Sequence, residues 1–83
     1  MEQYLILARS VTYAQRMQRL LVQAGIYCQI SRAPRDLSDL GCAYMLRLKA
    51  ENVIRALAVL RREGLDPLRV FLLQDGVYRE VAL

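Results

Sequence analysis

The sequence predicts an α+β domain of ferredoxin-like βαββαβ topology, a four-stranded antiparallel sheet with both helices on one face. Three observations carry this expectation. Amphipathic stretches of helical period alternate with β-rich segments along residues 3–74. Each helical stretch ends in a glycine followed by an aliphatic residue, Gly25-Ile26 and Gly64-Leu65. A strand opens near Tyr4 and again near Tyr44, so the chain reads as two βαβ halves of matching length. The right-handed crossover rule leaves few rivals and puts the first and third strands in the centre.

In chain order, residues 3–9 are β-rich and too short for a helix. Ser10 or Thr12 can cap the helix that follows by accepting a hydrogen bond from a backbone N–H of its first turn. In that helix Ala14, Met17, Leu21 and Ala24 share one face with Tyr13 and Leu20 alongside, and Gly25 ends it. Residues 26–31 alternate, with Ile26, Cys28 and Ile30 on one side. Residues 32–41 read as a loop, in which Pro34 keeps Ala33 extended and Asp36, Ser38, Asp39 and Gly41 supply turn chemistry. A loop of this length in so small a domain points to function. A third strand spans residues 43–48. A second helix, from about residue 50 to residue 63, is expected to bury Val53, Ile54, Leu57 and either Leu60 or Ala58. Residues 68–74 form the fourth strand. Asp75-Gly76 is a hairpin signal that allows residues 77–81 to return as a fifth, C-terminal edge strand.

The whole chain, residues 1–83, is expected to be a single domain. No apolar run approaches the roughly 20 residues of a membrane span. Met-Glu-Gln-Tyr at the start lacks the basic region of a signal peptide, so a cytoplasmic setting is expected. The net charge of +4 comes from eleven Arg and one Lys against eight acids, spread from Arg9 to Arg79. Scattered arginines on solvated faces account for it without an anionic partner. With no histidine, the usual general base and the commonest metal ligand are missing, and no cofactor or metal is expected. The chain also lacks a Gly-rich phosphate loop and an oxyanion-hole glycine cluster, so no enzymatic turnover of its own is expected.

With both helices on one face, the opposite sheet face is expected to be bare and fairly apolar. Ala43, Met45 and Tyr27 would lie there, with either Tyr4 and Ile6 or Leu5 and Leu7. Such a patch suggests a homodimer through the sheet. RNA recognition by the same face is disfavoured, because the third strand has Tyr44 as its one aromatic and no RNP-type motif is present.

Two cysteines remain as candidates for chemistry. Cys28 shares the strand phase of Ile26 and Ile30 and reads as a small buried hydrophobe. Cys42 follows Gly41 where the long loop meets a central strand, with Arg35, Arg47 and Lys49 nearby in sequence. Cations stabilise the thiolate, the nucleophilic form. The run Pro34-Arg35-Asp36-Leu37-Ser38, then Gly41-Cys42-Ala43-Tyr44 and Leu46-Arg47-Leu48, resembles the Pro-Arg-x-Leu-Ser…Gly-Cys-Gly…Leu-Arg signature of a family of small selenium/sulfur carrier-like proteins. The resemblance extends over nearly the whole chain. It departs from the pattern at Ala43, which stands where the family usually has glycine and so lacks glycine's freedom at positive φ.

This resemblance implies that Cys42 accepts sulfur or selenium as a persulfide or selenopersulfide and passes it on. Donor and acceptor proteins are the implied partners. Arg35 and Arg47 are the expected electrostatic supports, with Pro34, Ser38 and Gly41 shaping the loop. The rival reading is a regulatory or interaction domain that dimerises through its sheet and in which Cys42 is expendable.

Overall fold

A computed structural model describes residues 2–34 and 44–82. The elements are β1 (Gln3–Ala8), α1 (Val11–Gln23), β2 (Gln29–Arg32), β3 (Tyr44–Lys49), α2 (Val53–Arg62, entered through a 3-10 turn at Ala50–Asn52), β4 (Arg69–Gln74) and β5 (Val77–Val81). They build an α+β structure with one antiparallel sheet of order β2-β3-β1-β4-β5. The sheet has five strands rather than four. The fifth is the edge strand that Asp75-Gly76 allowed for. Both turn residues sit at positive φ, 52° and 76°, which gives the tight turn the twist that hairpin strands require. On the outer hairpin the Arg69 guanidinium donates twice to the Glu80 carboxylate, at 2.6 and 3.0 Å, and holds that carboxyl below its ordinary range. No helix among the described residues is long and apolar enough to cross a membrane.

Local chemistry explains both helix ends. The Ser10 hydroxyl accepts the Tyr13 N–H at 3.1 Å and caps α1, which decides between the two expected caps. At its far end the Gly25 N–H donates to the Val22 carbonyl and the Ile26 N–H to the Leu21 carbonyl. At the end of α2, Gly64 and Leu65 repeat this with Arg61 and Leu60. Both are Schellman closures, with the glycine at positive φ and the next aliphatic residue buried against the helix it leaves. The repeat seen in the sequence is thus a repeated stop signal. A Gly64→Ala chain is expected to lose about 1 kcal/mol in urea unfolding, because a Cβ there meets nothing within 4 Å and only the φ of +74° is strained.

The main core lies between helices and sheet. Ala14, Met17 and Leu21 of α1 and Ala56, Val59 and Leu60 of α2 pack on Ile6, Ala8, Leu46, Leu48 and Val70, and Cys28 is among them. One expectation for the second helix fails: Ile54 is 82% exposed. Of the alternatives Leu60 and Ala58, Leu60 is the buried one, and Ala56 and Val59 are buried with it. Ile54 and Ala58 share the side of α2 that carries Arg55, Arg61 and Arg62, and Val53, Ala56, Val59 and Leu60 form the opposite, buried side. Ala24, expected on the buried stripe of α1, is its exposed C-cap.

The other sheet face differs from expectation in a way that bears on function. Leu5 and Leu7, not Tyr4 and Ile6, face that side. Leu5, Leu7, Met45, Phe71 and Ala33 form a second buried cluster. Leu5 and Leu7 are 0% exposed. Ala33, one residue past β2, belongs to this cluster, so the centre of that face is core and not an open apolar patch.

Candidate functional site

The site predicted from the sequence splits at the limits of the described residues. Cys42, Arg35, Ser38 and Gly41 lie outside them. Pro34 is half-buried and is the last described residue before that stretch. Arg47 is described, and the ends of β2 and β3 define where the chain leaves and re-enters the sheet.

Those ends meet. Arg32, the last residue of β2, lies opposite Tyr44, the first of β3, and Tyr44 also lies opposite Ala8 at the end of β1. One residue beyond Ala8 comes Arg9, then the Ser10 cap and the N-terminus of α1. Cys42 is two residues before Tyr44 in the chain and lies outside the described residues. Two described guanidinium groups lie at this end. The Arg9 guanidinium stacks over the Tyr13 ring at 5.1 Å and that of Arg32 over the Tyr44 ring at 5.9 Å. The first turn of α1 contains no acidic residue, so its partial positive charge is not offset locally. Arg9 and Arg32 were not singled out from the sequence. Their signal is their place next to strand ends, which has meaning only once the register is known.

Arg47 is placed differently. It stands three residues into β3, about 10 Å along the strand from Tyr44. Its Cα partners are Leu5 on β1 and Gln29 on β2. Its Nε is buried and has no hydrogen-bond partner among the described residues. Arg47 also lines a hollow of about 450 Å³ together with Gln18, Tyr27, Cys28, Gln29, Ile30 and Ser31.

Cys28 matches its expected role. It is 2% exposed, packs in the main core, and burial pushes its thiol above the ordinary value of 9.0. A thiol held protonated in this way is neither nucleophile nor sulfur acceptor near neutral pH. Iodoacetamide at pH 8 is expected to leave Cys28 unmodified in the folded chain and to modify it in urea, as peptide mapping would show. The stability linkage has a definite sign. Because the folded thiol ionises at higher pH than the unfolded one, its contribution is present below the ordinary thiol pKa and is lost as pH rises through the folded value.

Against this geometry, residues 3–72 match the model of the family described as "putative Se/S carrier protein-like". The chain belongs to this family. The match covers most of the protein and includes Cys42, both described supports Pro34 and Arg47, and Arg9 and Arg32 at the sheet end. No curated protein and no solved structure matches the chain. Of the two cysteines of this Se/S carrier-like chain, Cys28 is buried, and Cys42 lies outside the described residues.

Proposed function

We propose that this protein is a sulfur or selenium carrier that holds its cargo on Cys42 as a persulfide or selenopersulfide. The observation that carries the reading is the elimination of Cys28 by burial in a chain that matches the Se/S carrier-like family. In the loading step the Cys42 thiolate attacks the outer sulfur of a donor persulfide. The donor's S–S bond breaks, a new S–S bond forms on Cys42, and the donor leaves as a thiolate. The exchange involves no net oxidation and therefore needs no redox cofactor. Release to an acceptor thiolate is the same step reversed.

The frame suits the task. Its strand order agrees with a ferredoxin-like layout extended by one edge strand, and that layout brings Arg9, Arg32 and the α1 N-terminus to the end of the sheet where β3 starts at Tyr44, two residues after Cys42 in the sequence. Positive charge there favours the thiolate. A cytoplasmic, reducing setting fits a carrier that must keep a free thiol. The rival reading, pairing through the sheet, loses its main support, since the central apolar residues of that face are already buried within one chain. Incubation with a persulfide-generating cysteine desulfurase followed by intact-mass measurement tests the carrier reading. One added sulfur is the expected result, and an unchanged mass in the presence of active desulfurase overturns it.

A further inference from the structure

We draw no further inference here: the strongest candidate, the outer edge of β5 with exposed Val77 and Tyr78, has no strand paired to it among the described residues, and nothing in the structure shows what covers it.

Discussion

A Cys42→Ser chain is expected to take up no sulfur from a desulfurase, while a Cys28→Ala chain loads as fully as the parent. The contrast rests on environment. Both residues have the same functional group, but the Cys28 sulfur lies in the core among Met17, Ile26 and Leu46, where burial opposes ionisation. Cys42 precedes β3 by two residues in the sequence, and Arg9 and Arg32 lie at the strand ends beside Tyr44, the first residue of β3. A second layer of the same experiment addresses that end. Arg9→Gln and Arg32→Gln each remove one positive charge there, and the double variant is expected to raise the pH at which Cys42 reacts with iodoacetamide and to slow loading at pH 7 several-fold. Arg47→Gln, three residues further into β3, is expected to change this profile less than the double variant. If all variants react with the same pH profile, the sheet end contributes nothing to the thiolate. If Cys42→Ser still gains a sulfur, the carrier assignment to Cys42 is wrong.

Leu7→Ala is expected to destabilise the chain by about 2–5 kcal/mol, as measured by urea unfolding monitored by circular dichroism. Leu7 points to the sheet face away from the helices, where an open surface would make the change cost only a few tenths of a kcal/mol. The structure instead shows it 0% exposed within the cluster of Leu5, Ala33, Met45 and Phe71. Truncation there leaves a cavity between β1 and its neighbours as well as losing the transfer energy of the removed methyl groups. The effect should match that of Leu46→Ala on the helix side, which is the sign of a sheet with two buried faces. A loss below 1 kcal/mol would mean that the second cluster does not form in solution and would return the sheet face to consideration as a dimer interface.

Both experiments turn on which parts of the molecule sequence alone can define. The two helix ends were legible because their signals are local. Gly25 and Gly64 take a backbone conformation that few other residues adopt cheaply, and Ser10 caps within three residues of its partner. The Asp75-Gly76 turn is legible for the same reason. Cys28 was assigned to the core correctly from the alternation of Ile26, Cys28 and Ile30. The family was legible too, because a spaced set of residues from Pro34 to Leu48 survives without any knowledge of the fold.

What depended on tertiary structure involved choices between equivalent faces or between distant segments. Ile54 is an apolar residue on the side of α2 that carries Arg55, Arg61 and Arg62, so its type alone pointed inward while the packed helix leaves it exposed. The second sheet face gathers Leu5, Leu7, Ala33, Met45 and Phe71 from distant parts of the chain, so no short-range pattern reports it. The same holds for the charges: in the sequence the arginines look scattered, and only the strand register brings Arg9 and Arg32 to one end of the sheet. Local backbone chemistry, then, was determined by the sequence, including where the helices stop and the last hairpin turns. Which side chains face each other, and which arginines lie beside the start of β3, was decided by long-range pairing of strands, because burial and electrostatics depend on distance in space and not along the chain.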